Sequence, residues 1–152
     1  IPPSFRLVPA LRAALAGLPH APDLVLVDGH GTADQRGFGV AAHLGVAADL
    51  PAIGVAGEAD FGSGPAPHET RGAYTALRDG SRRQVGWLLR SRPGAAPLAV
   101  SPAHRVALAS SADLVMRFTA GDRWPEPLRL ARQLLRTGTT DMPGPRDGVW
   151  AP

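Results

Sequence analysis

Four consecutive apolar residues, Leu24-Val25-Leu26-Val27, lie between Asp23 and Asp28, and Gly29-His30-Gly31 follows at once. A strand exposed on one face alternates apolar and polar side chains. An unbroken apolar run therefore predicts a strand covered on both faces, as in the sheets of α/β domains. Asp28 then stands where the chain leaves the sheet, the place where ligands and metal ions collect in open α/β folds. Gly29 and Gly31 have no side chain to obstruct a backbone or a phosphate, and His30 adds a ring that titrates near neutrality. The same residues also suit a carboxylate that only caps or turns the loop.

Around this run the periodicity alternates between helix and strand. Leu11, Ala14, Leu15 and Leu18 fall on one helical face over Pro9 to Leu18, with Pro9 suited to a first turn and Gly17 and Pro19 to an end. A second helix is predicted over Phe38 to Ala48, weakened by Gly39 and Gly45, and a short apolar strand over Ala52 to Val55. Strand, helix and strand with short joins predict a right-handed parallel crossover. Gly57 to Arg82 is rich in Gly and Pro with few apolar anchors, which predicts a surface excursion. Gln84–Ser91 and Pro97–Val100 predict a hairpin turned at Arg92-Pro93-Gly94. Helices near Ala109–Phe118 and Glu126–Leu135 follow, the second with Leu128, Ala131 and Leu135 on one face. From Thr137 onward the composition predicts a flexible tail, leaving one domain over residues 1–136.

A chain of 152 residues is long enough for one real core. All 16 basic residues are Arg, and the net charge is only +3, so nucleic-acid binding is permitted rather than demanded. The absence of Cys excludes disulfides and thiolate metal sites. With no apolar run of membrane-spanning length and no signal pattern at the start, a cytoplasmic protein is expected.

In its motifs the chain resembles the endonuclease V family. The resembling segments are Ile1-Pro2, Phe5-Arg6 with Pro9-Ala10-Leu11, Pro22 to Gly31, Gly39 to Val46, Ile53 to Ala56, Val100 to Arg105 and Pro125 to Ala131. They keep the family's order and near spacing, and correspond to the C-terminal two-thirds of its pattern. The resemblance implies an α/β, ribonuclease H-like mixed sheet flanked by helices, lacking the usual first strands. It implies Mg²⁺-dependent cleavage (Mn²⁺ as a substitute) of a strand on the 3′ side of deoxyinosine, with inosine-containing DNA or RNA as partner. Such chemistry needs several carboxylates converging on hard cations that activate water and stabilise the leaving oxygen.

By that resemblance Asp28 is a metal-binding catalytic aspartate, and His104 an active-site histidine near the scissile phosphate. Ile1 and Pro2 match the end of a wedge that fills the gap left by a flipped base, Gly29 and Gly31 a loop against that base, and Val40 its apolar wall. Arg36, Arg82, Arg83 and Arg105 are candidate phosphate contacts, while Trp87, Trp124 and Trp150 read as structural.

The departures from the family are specific. Its first catalytic aspartate belongs to a strand before Ile1. Leu7 stands where a glutamate follows Phe-Arg, Gly57 where a lysine follows Gly-Val-Ala, Asp34 where a histidine is expected and Pro3 where a glycine is. Asp34, Glu58 and Asp60, all on loops, are the residues from which a metal site would have to be rebuilt. These losses imply weak or absent cleavage, and leave two alternatives: a non-catalytic binder of damaged or single-stranded nucleic acid, or an inactive remnant or interaction module. Without the preceding strand, Leu24–Val27 would lie at an exposed apolar edge open to self-association.

Overall fold

The computed structural model describes residues 4–138. The apolar run forms strand β1 (Val25–Asp28), preceded by helix α1 (Ser4–Ala16) and followed by helix α2 (Val40–Ala48) and strand β2 (Ala52–Ala56). Strands β3 (Tyr74–Arg78), β4 (Gln84–Leu89) and β5 (Leu98–His104) come next, then helices α3 (Leu108–Arg117) and α4 (Glu126–Thr137). The strands make one mixed sheet in the order β1-β2-β5-β4-β3. β1 and β2 are parallel, as the crossover predicts, and the other pairings are antiparallel. No described helix is long and apolar enough to cross a membrane.

Both faces of the sheet are covered, which accounts for the unbroken run in β1. On one face Ile53, Val55, Leu98 and Val100 pack with Ala112 and Val115 of α3 and Leu128 of α4, and Leu24 and Leu26 join them. On the other, Val25 and Val27 pack with Val8 of α1 and Ala41 and Leu44 of α2. A third cluster, Ala33, Ala56, Leu77, Val85 and Ala99, extends that second face toward β3. β1 is the terminal strand, and among the described residues nothing pairs with its outer edge.

Several sequence expectations are corrected. α1 starts at Ser4 rather than Pro9, so Pro9 lies within the helix and costs it one backbone bond. Its inward residues are Val8, Leu11 and Leu15, while Ala14 and Leu18 are exposed. The expected surface excursion contains β3, whose Leu77 is fully buried and which pairs along β4. On α4 only Leu128 turns inward; Ala131 is exposed, and Leu135 is 86% exposed. The hairpin is present, but β5 runs on to His104 and crosses to pair with β2. The tail expected from Thr137 lies almost wholly outside the described residues.

The loop after β1 is held down by backbone contact. It crosses directly over Gly54 of β2, where an added Cβ would stand 2.6 Å from the Gly31 nitrogen and 2.7 Å from the Gly29 oxygen. The Gly31 N–H donates to Ser101 Oγ at 2.8 Å, the Thr32 N–H to the Pro102 carbonyl at 3.0 Å, and the Ala41 N–H to the His30 carbonyl at 3.0 Å. A Gly54→Ala substitution cannot be absorbed by a rotamer change, because the atoms it meets are backbone. It should cost about 2–3 kcal/mol of stability. Urea denaturation of the two proteins checks this, and an unchanged midpoint would mean that the loop does not lie on β2.

Candidate functional site

Two adjoining cavities open at the carboxyl end of β1. The larger, about 670 Å³, is lined by Asp28, His30, Glu58, Asp60, Arg123, Trp124 and Arg132, with Gly29 and Gly57 among its backbone walls. The smaller, about 220 Å³, lies between Ser4 and Leu7 of α1, the loop at Gly29 and His30, and Phe38 to Val40 at the start of α2. Asp34 and Arg36 also line it, and Gly29, His30 and Asp60 are common to both cavities.

In the larger cavity Asp28 is not a free carboxylate. Its Oδ2 accepts a hydrogen bond from Arg132 Nη1 at 2.6 Å, with both side chains partly exposed. The Arg132 guanidinium lies over the Trp124 ring, 4.3 Å from its centre. A second guanidinium, that of Arg123, is 5.6 Å from the same ring. Arg123 is fixed by backbone carbonyls: its Nε donates to Ala96 at 2.7 Å, and its Nη2 to Pro97 at 3.1 Å and to Gly57. Burial and the neighbouring charge of Arg132 hold Arg123 below the usual guanidinium range, with Glu58 opposing them. An arginine so shifted is still cationic at neutral pH.

His30 closes the boundary between the cavities. Its Nε2 is 3.2 Å from Asp60 Oδ2, and its Nδ1 is buried without a hydrogen-bond partner among the described residues. Asp34 turns back on its own loop, accepting the Arg36 N–H at 2.8 Å. Asp34, Glu58 and Asp60 do reach this end of the sheet, yet among the described residues no three His, Asp or Glu side chains gather closely enough to hold a metal ion. Leu7, at the position where the family resemblance calls for a glutamate, is about half exposed and lines the smaller cavity as an alkyl wall.

The two residues assigned to catalysis are not brought together. Asp28 sits opposite Val55 at the end of β2, whereas His104 sits opposite Ala52 at its start. Three residues of strand separate those levels, about 10 Å. The physical reason is that β5 runs antiparallel to β2, so its carboxyl end lies at the other end of the sheet. A bulge at Ala52/Ile53 adds one residue to β5, and the His104 Cβ packs over Gly45 of α2. There His104 Nε2 is 3.1 Å from Asp49 Oδ1, and Arg105 Nη2 lies 3.2 Å from the same oxygen.

The remaining assignments divide. Gly29 lines both cavities, and an added Cβ there would lie 2.4 Å from Val40 Cγ1, so Gly29 and Val40 are in contact as wall and floor. Gly31 is buried under β5, where an added Cβ would stand 2.2 Å from the Pro102 carbonyl oxygen, and it lines neither cavity. Ile1 and Pro2 lie outside the described residues, as does Trp150. Of the candidate arginines only Arg36 reaches the site; Arg82 and Arg83 precede β4 at the His104 end of the sheet. Trp87 is structural, its indole N–H donating to the Leu108 carbonyl at 2.7 Å. Trp124 instead forms the floor under Arg132. Arg123, Trp124 and Arg132 escaped the sequence reading because single Arg and Trp residues carry no spacing signal. Their one hint is that Trp124 and Arg132 bracket the Pro125-to-Ala131 motif.

The family model described as Endonuclease V matches residues 3–133. Endonuclease V of Thermus thermophilus is 50% identical over 129 residues, covering 84% of this chain. This chain spans only 57% of that relative's length. The crystal structure of endonuclease V from Streptomyces avermitilis superimposes with a TM-score of 0.84 at 39% identity, over 91% of this chain and 61% of that one. Ciona intestinalis endonuclease V, crystallised with a 24mer DNA containing an inosine followed by a ribo-adenosine, has a TM-score of 0.68 at 22% identity. That alignment covers 89% of this chain and 62% of the Ciona chain and shows a shared fold.

The His104 end offers a direct check on the geometry. The hydrogen bond from His104, then the charge of Arg105, hold the Asp49 carboxyl below the usual aspartate range. A depressed carboxyl contributes stability above its unfolded value, and the contribution disappears as pH falls through the folded one. Carbon-detected NMR titration should give Asp49 a midpoint below that of an ordinary aspartate, rising toward it in His104→Ala. An unmoved midpoint would break the pairing.

Proposed function

The chain belongs to the endonuclease V family, and from that premise we propose that it binds inosine-containing nucleic acid without cleaving it efficiently. The observation that carries this reading is the continuity of a small, base-sized cavity with a charged cleft through Gly29, His30 and Asp60. A base turned out of its stack needs an enclosed slot with apolar walls and a few polar atoms at one end. Leu7, Phe38 and Val40 supply the walls, and His30 and Asp34 the polar end. The phosphates on either side of that base would then face the cleft with Arg123 and Arg132.

Cleavage is assigned a minor or absent role on the chemistry of the donor set. Among the described residues Asp28 is the carboxylate that stands in a family metal position, and it already holds Arg132. Leucine at position 7 offers no oxygen, and the nearest acidic residues are spread along loops. These residues do not fit a pair of Mg²⁺ or Mn²⁺ ions, which require several oxygen ligands at short range. Gly29 and Val40 remain the family-matched residues with a binding role in this reading, whereas His104 serves the fold at the opposite end.

An oligonucleotide with one deoxyinosine should bind about tenfold more tightly than its adenine counterpart. Leu7→Trp, on an exposed helical position, fills the cavity and should remove that preference while leaving the weaker general affinity. Fluorescence anisotropy on both oligonucleotides reads both effects, and equal affinities for inosine and adenine would end the proposal. In the same samples, end-labelled strands with Mg²⁺ or Mn²⁺ should remain intact. Nicking that disappears in Asp28→Ala would restore the enzyme reading.

The open edge of β1 favours a second proposal, that this chain pairs through it with another copy. Val25 and Gly29 direct their N–H groups inward, to Pro51 and Val55, so alternation leaves the Leu26 N–H facing out. Sedimentation equilibrium should show a concentration-dependent dimer; a monomer throughout the micromolar range would exclude it.

A further inference from the structure

The disagreement between the family's metal chemistry and this cleft has a physical content of its own. Arg132 is held in place twice: Nη1 on Asp28 at 2.6 Å, and the guanidinium plane over Trp124 at 4.3 Å. A cation seated on the Asp28 oxygen repels a divalent ion from that oxygen and leaves the carboxylate no net demand for one. A guanidinium also does what an ammonium or a bare metal ion does not. Its planar fork keeps N–H donors on its other side, spaced to match two oxygens of a phosphate.

Arg123 complements it. Gly57 stands where the resemblance expects a lysine, yet the cation has not left the neighbourhood. Arg123 Nη1 lies 3.8 Å from where a Gly57 Cβ would be, and its other donors are locked onto backbone carbonyls. The two guanidiniums therefore share one aromatic ring and cannot drift apart at no cost. Two like charges this close repel one another, and burial first, then the charge of Arg132, hold Arg123 below the usual guanidinium range. An anion between them relieves that repulsion.

We propose that in this cleft a guanidinium has taken over the position of a metal ion: Arg132, positioned by Asp28 and Trp124 and supported by Arg123, anchors a phosphodiester without any divalent cation. The inference rests on the nucleic-acid reading above for its ligand, and on the geometry of Asp28 and Arg132 alone for its exclusion of metal.

Two measurements test these halves separately. In the first, anisotropy with the deoxyinosine oligonucleotide is run in EDTA and in Mg²⁺. Affinity should agree within about twofold between the two conditions once ionic strength is matched. Arg132→Gln should weaken binding about tenfold and lower the salt slope by about one, with Arg132→Lys in between. Asp28→Ala removes one of the two contacts that position the guanidinium and leaves the Trp124 ring beneath it, so it should weaken binding by less than Arg132→Gln does. Loss of binding in EDTA, a loss in Asp28→Ala as large as that in Arg132→Gln, or an indifferent Arg132→Gln would each overturn the proposal.

In the second, Mn²⁺ alone is titrated into the protein, and broadening of the Gly29 amide and the Trp124 indole NMR signals is followed. Neither signal should broaden selectively in the parent chain, and Arg132→Gln, which releases Asp28 as a lone carboxylate, should show at most weak broadening. Selective broadening in the parent chain would overturn the exclusion of metal. If the oligonucleotide does not bind under any condition, the nucleic-acid reading fails and the phosphate anchor with it, while the Mn²⁺ result still decides what occupies Asp28.

Discussion

The contact between the Gly29–Gly31 backbone and Gly54 sets the position of nearly everything else at this end of the molecule. A loop that leaves a parallel strand ordinarily rises away from the sheet. Here it folds back across the neighbouring strand at a distance only glycine permits, and its peptide groups find partners on Ser101, Pro102 and α2. The consequence is a rigid backbone floor where a mobile loop would be expected. From that floor Asp28 is directed toward α4, and His30 toward Asp60, so a cleft and a smaller pocket share a wall. With any side chain at position 54 the loop would lift and the wall between the cavities would be lost.

The second constraint is topological. β1 and β2 are parallel, but β5 inserts beside β2 in the opposite sense. Residues at the carboxyl ends of β2 and β5 therefore belong to opposite ends of the sheet, however close their motifs lie in a family pattern. This separates His104 and its Asp49–Arg105 group from Asp28. It also brings the segment before β5, Ala96 and Pro97, to the Asp28 end, where their carbonyls fix Arg123. The charged groups of the cleft thus come from β1 and the loop after it, from the loop after β2, and from α4 and the chain entering it, three regions with no sequence proximity.

That distribution explains what could be read from residues alone. The buried strand, its parallel partner and the hairpin were legible because apolar runs and turn residues carry period and punctuation. β3 was hidden: Tyr74-Thr75-Ala76-Leu77-Arg78 has one strongly apolar anchor, Leu77, and sits among Gly and Pro. The inward face of α4 was overread, since Leu135 matches the helical period but extends past the sheet it would cover. In the site, Asp28, Gly29 and Val40 were legible because each is part of a motif with a local role. The partner of Asp28 was not, because Arg132 lies 104 positions away and is one of many arginines. Pairing at that range is a property of the folded sheet and of no local pattern.

The pair also clarifies what the departures at positions 7 and 57 mean together. Leu7, where the family resemblance calls for a glutamate, offers no oxygen, and an isolated carboxylate binds a hard divalent ion poorly because too few oxygens replace its water. A carboxylate left without a metal, facing a cleft rather than bulk water, is best served by a permanent cation. Arginine is the side chain that cannot lose its charge on partial burial, and an aromatic ring beneath it offsets some of its desolvation. Once such a residue is present, restoring a glutamate at position 7 would not by itself restore a metal site, because the incoming ion must still displace a guanidinium held from two sides. In the proposed reading, leucine at position 7 and the pairing of Asp28 with Arg132 therefore act in the same direction: both favour recognition of an anion over chemistry that depends on metal-bound water.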